Sequence, residues 1–259
     1  MRMNFVWLGV AVTTLVLNGG AAPADNTVPR QPVLLELFTS EGCSSCPPAD
    51  ALLEKLDREQ PIGGAQIIVL SEHVDYWNQQ GWSDPYSSHA ITARQENYVR
   101  RFGLTGPYTP EMVVDGAAEF AGNDARKVES AIRQSMQQPK VGIRIQAAAS
   151  GDAAVTIEVD PLPSGAAKRA NVYLARAADH GSSNVLRGEN QGRRLTHVSI
   201  VADIQQVGSI GAQGIFKKDI QIRAKHTPAG SRLVAFVQEN GNGRVWGAAM
   251  YAVANGEKP

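Results

Sequence analysis

The sequence predicts an α/β domain followed by an antiparallel β-sandwich-like domain. Three observations carry this expectation. Through Met136, buried-strand runs alternate with amphipathic helical runs in the order β-α-β-α-β-β-α, the pattern of helices laid on a sheet. After Gln137-Gln138-Pro139 the texture changes to short β-forming runs separated by turns, which suits a sandwich. The chain's two cysteines, Cys43 and Cys46, fall directly after the first strand run. The expected division is 1–24, a signal peptide; 25–139, the α/β domain; and 140–259, the β-rich domain.

The elements follow in chain order. Arg2 and the apolar run Phe5 to Leu17 read as the charged and hydrophobic parts of an export signal, too short to span a bilayer, with Ala22-Pro23-Ala24 as a small-residue cleavage site. An uncleaved anchor is the alternative. Val33 to Phe38 is a buried strand. Pro47 and Pro48 suit a first helical turn, whose amides have no partners, and Ala49, Leu52, Leu53 and Leu56 make one apolar face. Gln66 to Ser71 is a second strand, parallel to the first. His73 to Trp82 reads as a loop. Asp84 then caps a helix opened by Pro85, with Ile91, Tyr98 and Phe102 inward and Gly103 at its exit. Met112 to Asp115 is a strand, Asp115-Gly116 a hairpin turn, and Asn123 caps a last helix with Val128, Ala131, Ile132 and Met136 on its face. In the second half, Val141 to Ile145, Val155 to Val159, Asn171 to Leu174, Leu233 to Gln238 and Val245 to Tyr251 read as strands, among about six to eight in all.

Charge excludes some functions. The chain has 25 basic and 25 acidic side chains and no basic run, which argues against nucleic acid and anionic membrane surfaces. No later segment is apolar enough to insert stably in a membrane once the signal is cleaved. The expected location is periplasmic or secreted.

The chemistry concentrates at Cys43-Ser44-Ser45-Cys46. A sulfur at the amino end of a helix lies near orphan amide hydrogens and the positive end of the dipole, which favours thiolate over thiol. A bridge across three residues closes a very small loop and does little to restrain the unfolded chain. The pair therefore reads as a redox centre, with an inert surface disulfide as the plainer alternative. The redox reading requires that the sulfurs be close together and that they not be walled off from solvent and every cleft. One C-x-x-C falls short of a four-ligand zinc site. His73, Asp75 and His89 invite a copper reading together with the cysteines, but the better role for His73 and Asp75 is to flank the site. Tyr76 and Trp77, with Trp82, suit a peptide groove, since aromatic side chains anchor interfaces. Glu41 would oppose a thiolate if it lay close. Arg187, Glu189, Asn190, Arg193, Arg194 and His197 form a polar block that either docks onto the first domain or is solvated loop charge.

With these residues placed, the first half resembles the thioredoxin fold. The strings ELFTSEGCSSCPPAD, HVDYWNQQGWSDP, YTPEMVVDG and RGENQGRRLTH resemble a bacterial secreted thioredoxin-like family classed as domain of unknown function 1223. The resemblance implies an α/β thioredoxin-like domain and a redox-type site, and it supplies no substrate. It implies that Pro110 is in the cis form beside the cysteines, with Thr109 presenting its backbone to a bound peptide. It also implies a buried acid near the deeper cysteine. Glu36 is the nearest match to that proton relay, one residue farther upstream than the pattern expects, and an ordinary ion pair is the alternative.

Taken together, the sequence reads as an exported thiol–disulfide oxidoreductase. Cys43 attacks, Cys46 resolves, and Thr109, Pro110, Tyr76 and Trp77 shape the substrate site. Its partners are protein thiols or disulfides and a redox partner protein, and no cofactor or metal is expected. The rivals are a non-enzymatic cell-envelope binding protein on the same scaffold and a copper metallochaperone.

Overall fold

A computed structural model describes residues 30–147, 154–222 and 230–253. The signal-peptide expectation for 1–24 lies outside the described residues. Among the described residues no helix is long and apolar enough to cross a membrane.

The first half follows the expected element order. It runs β1 (Gln31–Thr39), α1 (Pro47–Glu59), β2 (Ala65–His73), α2 (His89–Phe102), β3 (Glu111–Val114), β4 (Ala118–Ala121) and α3 (Ala125–Met136). The strands β1 and β2 are parallel, with Leu35 opposite Val69, and β3 returns antiparallel beside β1. Two caps differ from expectation. Helix α2 starts after Ser88, because Asp84 spends its carboxylate on the amides of Glu41 and Tyr86 instead (both 2.9 Å). Helix α3 is capped by Asp124, which accepts from the Lys127 amide.

The expected fold class, a thioredoxin-like α/β domain followed by a separate sandwich, is overturned. The second half supplies β5 (Ile143–Ala147), β6 (Ala154–Val159), β7 (Arg169–Asn184), β8 (Arg194–Gly211), β9 (Phe216–Gln221), β10 (Ser231–Gln238) and β11 (Val245–Ala252). Four of these join the first half in one mixed eight-stranded sheet, in the order β11-β10-β7-β8-β2-β1-β3-β4. The strand β8 pairs parallel to β2 at Ser71 and Ile200. Only β5, β6 and β9 form a separate, three-stranded sheet. The molecule is mostly β, with three helices among the described residues.

Alternation along the strands explains the layering. Val33, Leu35 and Leu37 of β1 share a core with Ala49 and Leu53 of α1 and Val128 and Ile132 of α3. Leu34 and Phe38 face the other way and pack with Ile91 and Tyr98 of α2. In that second core they also meet Val234 and Phe236 of β10 and Val245 of β11. The large sheet therefore folds back over β1. Register shifts at Val172/Tyr173 and Arg176/Ala177 interrupt the long β7–β8 ribbon, and such bulges bend a strand. Leu233, Ala235 and Val237, the alternate residues of β10, build a third core with Ile157 and Val159 under the three-stranded sheet. Strand β10 is buried on both faces, which is why it reads in sequence as an unbroken apolar run.

Candidate functional site

The chain leaves β1 at Thr39 and turns twice before α1. The Cys43 amide donates to Ser40 O (3.1 Å) and the Cys46 amide to Cys43 O (3.2 Å). Cys46 then stands at the helix cap, with Pro47 opening α1. Cys43 and Cys46 are joined as a disulfide, their Cα atoms 5.4 Å apart. Ser44 and Ser45 are exposed, but both cysteines have 0% exposure. The sulfurs are close together, as the redox reading requires, but both are closed off from solvent, so its second requirement is not met in this arrangement.

The β7–β8 hairpin is bonded to the backbone of the turn. Asn190, at its tip, donates from Nδ2 to the carbonyl oxygens of Glu41 (2.9 Å) and Cys43 (3.0 Å). Glu189 accepts from the Ser44 amide (3.0 Å), and the Ser44 hydroxyl first and then that amide hold its carboxyl below the usual range. The polar block is thus divided: Glu189, Asn190 and His197 reach the cysteine turn or Glu41 beside it, whereas Arg187, Arg193 and Arg194 are exposed. On another side the Trp77 side chain lies against Gly42. Its Nε1 donates to Thr109 Oγ1 (2.8 Å), and the Thr109–Pro110 peptide bond is cis. Pro110 and Ala49 of α1 both border Gly122. Trp77, Thr109 and Pro110 are thus brought to the cysteine end of the sheet. Tyr76 stacks obliquely beside Trp77, and burial pushes its hydroxyl up to about 12.

Under the turn lies a charged cluster that the sequence reading did not assemble. Glu41 accepts from Trp82 Nε1 (2.8 Å) and from the Ser183 hydroxyl, and it meets His197 Nε2 at 3.3 Å. His197 Nδ1 faces Asp50 Oδ1 at 3.8 Å, an ion-pair distance rather than a hydrogen bond. Burial opposes the His197 charge, but Asp50 and Glu41 outweigh it and raise the imidazole to about 9. Burial likewise opposes the Glu41 charge, and the hydrogen bonds from His197, Ser183 and Trp82 overcome it and lower its pKa. Sequence distance hid this cluster, since 156 positions separate Glu41 from His197. The usable signal was a histidine on an apolar strand run, Leu195 to Val201.

His73 is buried between Asp84 Oδ2 (2.7 Å) and Ser71 Oγ (3.2 Å), with its ring 4.5 Å from the His197 ring. Burial raises the Asp84 carboxyl, and the His73 charge and hydrogen bond reverse that and lower it. Asp75 turns to the start of α2, accepting from Thr92 Oγ1 (2.6 Å) and lying 3.4 Å from His89 Nδ1. The residues of the copper reading are thus divided between two places. No cluster of metal-binding side chains forms among the described residues.

Glu36 is not brought to the cysteines. It shares the face of β1 with Leu34 and Phe38, opposite the α1 face. There it accepts from Arg94 Nε and from the Tyr98 hydroxyl (both 2.6 Å). The place expected of a proton relay is instead a buried ion pair, for the physical reason that even-numbered residues of β1 point toward α2.

The chain belongs to the family described as protein of unknown function DUF1223, whose model matches residues 34–238. It is similar to the crystal structure of a protein from Agrobacterium tumefaciens, with 25% identity, coverage of 90% of this chain and 99% of that one, and a TM-score of 0.71. It is also similar in fold to HBP35 of Porphyromonas gingivalis, with 16% identity, coverage of 89% and 79%, and a TM-score of 0.57. No curated protein matches it.

Proposed function

We propose that the chain is an exported thiol–disulfide oxidoreductase acting on protein thiols, with Cys43 attacking and Cys46 resolving. The observation that carries this reading is the position of the cysteine turn at the amino end of α1. Orphan amides and the helix dipole favour a thiolate there. Export, to the periplasm or beyond the cell, is supported by Arg2 and the apolar run that follows it.

In the reduced protein, the Cys43 thiolate attacks one sulfur of a client disulfide. A mixed disulfide forms, and the other client sulfur leaves as a thiolate. Cys46 gives its proton to solvent, attacks Cys43 Sγ and frees the remaining client thiolate. Two electrons pass to the client, and the Cys43–Cys46 bond closes. A redox partner protein reduces the pair again, and the reverse sequence oxidises a client dithiol. Trp77, Thr109, Pro110 and Tyr76 border the client. Each step needs the hairpin tip to lift from the turn.

The full cover of both sulfurs favours a second reading, a cell-envelope binding protein in which the bridge is only a staple. One experiment separates the two. A Cys46→Ala variant is exposed to the native secreted proteome, and the wild type is assayed on insulin disulfides. The first reading expects trapped mixed disulfides through Cys43 and catalysed reduction. Neither trapping nor reduction, with full cellular activity in a Cys43→Ser, Cys46→Ser double variant, establishes the second.

A further inference from the structure

Residues 185–193 form a small self-bonded unit. The Val185 amide donates to Arg193 O (2.9 Å), Gly192 to Val185 O (2.8 Å), Gln191 to Gly188 O (3.1 Å) and Arg193 to Asn190 O (3.1 Å). Arg193 also donates from its guanidinium to Asn190 Oδ1 (2.9 Å). The unit's polar hold on the cysteine turn is small by comparison: Asn190 on two carbonyls and Glu189 on one amide. Gly188 adds a close approach to Gln80 O and Trp82. A unit that keeps its own hydrogen bonds when it moves, and leaves behind these three main-chain bonds and the Ser44 hydroxyl's bond to Glu189, can lift without unfolding.

The chemistry of those three bonds is informative. Asn190 supplies an amide donor to main-chain carbonyls, and Glu189 supplies a carboxylate oxygen to a main-chain N–H. The main chain of an extended peptide offers the same pairing, with donor and acceptor groups in series. Leu186, on the same tip, is 66% exposed although its neighbour Val185 is buried, so the tip presents an apolar handle to an arriving protein.

We infer that the β7–β8 hairpin tip is an intramolecular stand-in for the client. Asn190 and Glu189 occupy the Glu41, Cys43 and Ser44 backbone groups that an extended segment of a client protein takes over when it displaces the tip and uncovers Cys43. This rests on the redox reading for the identity of the client. The gating itself does not.

The test uses two small thiols as probes on the oxidised full chain. Dithiothreitol passes two electrons and two protons to the Cys43–Cys46 bond and leaves as its own cyclic disulfide. Reduced glutathione does the same in two molecules. Rates are read by alkylation and mass for the wild type, Glu189→Ala, Asn190→Ala and the double variant, with circular dichroism as the check on folding. Glu189 is exposed at its contact with Ser44, so Glu189→Ala retains the fold even where Asn190→Ala does not. The expected result is reduction about tenfold faster for Asn190→Ala and severalfold faster for Glu189→Ala, with the larger gain for glutathione. Rates within twofold of wild type for folded variants overturn the gate. Faster thiol reduction in variants that show no exchange with protein disulfides, like the wild type, overturns the client reading and leaves the tip a mere cover.

Discussion

His197 is the residue on which the charge balance beneath the cysteine turn depends. It has 1% side-chain exposure and lies between Glu41 and Asp50, with the His73 and Tyr86 rings against it. Its folded pKa of about 9 lies above the 6.5 of a free imidazole, so the folded chain holds the proton more tightly. Below about pH 6.5 both folded and unfolded chains are charged and the full contribution is present; it falls away as pH rises through about 9. The shift corresponds to about 3 kcal/mol. In urea unfolding of the oxidised protein, the stability gap between wild type and His197→Gln is expected to be largest near pH 6. It narrows by about 3 kcal/mol by pH 10, and a gap that does not change with pH refutes the assignment. Glu41 works at the other limb: with its pKa lowered, its contribution is present above about pH 4.5 and is lost on acidification. Arg94 is a separate case. It is buried against Glu36, with Glu72 3.6 Å away, and it lies over the Tyr98 and Phe236 rings. Burial first, and then the Glu36 charge, raise Glu72 well above its ordinary value. Removing the guanidinium leaves buried carboxylates without their cation, so Arg94→Ala is expected to lose about 3–5 kcal/mol in denaturant unfolding. A loss under 1 kcal/mol contradicts this account.

Among the elements, the β3–β4 hairpin does more than join two strands. Asp115 and Gly116 both have positive φ, 48° and 59°, and sit at the centre of a three-residue connection in which the Ala117 amide donates to Val114 O (3.0 Å). The turn also meets the second half: the Val245 amide donates to Asp115 O (2.7 Å), and a Cβ on Gly116 would collide with the Gly243 carbonyl. The left-handed conformation costs about 1–2 kcal/mol for alanine and the collision about 1–3, so Gly116→Ala is expected to lose about 2–5 kcal/mol in chemical denaturation. Here the sequence was legible, because Asp-Gly between apolar runs has a local cause. The same holds for β1, α1, β2 and α3, where period and turn chemistry act within one element. It fails at β8 and at the part of β7 beyond the Asn171 to Leu174 run. Their pairing covers Arg169 to Asn184 against Arg194 to Gly211, yet its register shifts opposite Val201 to Asp203, and β8 carries a positive-φ Ser199 and mixes His197 and Asp203 into its apolar run. A bent ribbon with bulges loses the period of two from which strands are read. The site was half legible for the same reason. The cysteine turn, Trp77, Thr109 and Pro110 lie in the readable half, whereas Asn190, Glu189 and His197 arrive on the ribbon that was not.

The whole molecule differs from its expected class because sheet pairing is a long-range property that local pattern does not contain. Pro139 marks a real change of texture, but the eight-stranded sheet continues across it. The consequence is energetic. Leu34, Phe38, Ile68 and Leu70 of β1 and β2 are completed as a core by Ala175, Val201, Val234, Phe236, Val245 and Ala248 from the second half. A chain cut after residue 139 would expose that face to water and leave β2 without its β8 neighbour. Each buried Leu, Val or Phe contributes about 1.5–3 kcal/mol. Losing the partners of several such side chains therefore exceeds the 5–15 kcal/mol margin of an ordinary domain. The isolated segment 30–139 is accordingly expected to show no cooperative thermal transition by circular dichroism, while the full chain melts in one. A sigmoidal melt from the fragment, matching any part of the full-length transition, would show that the first half carries its own core and that the shared sheet is only an association of two independent units.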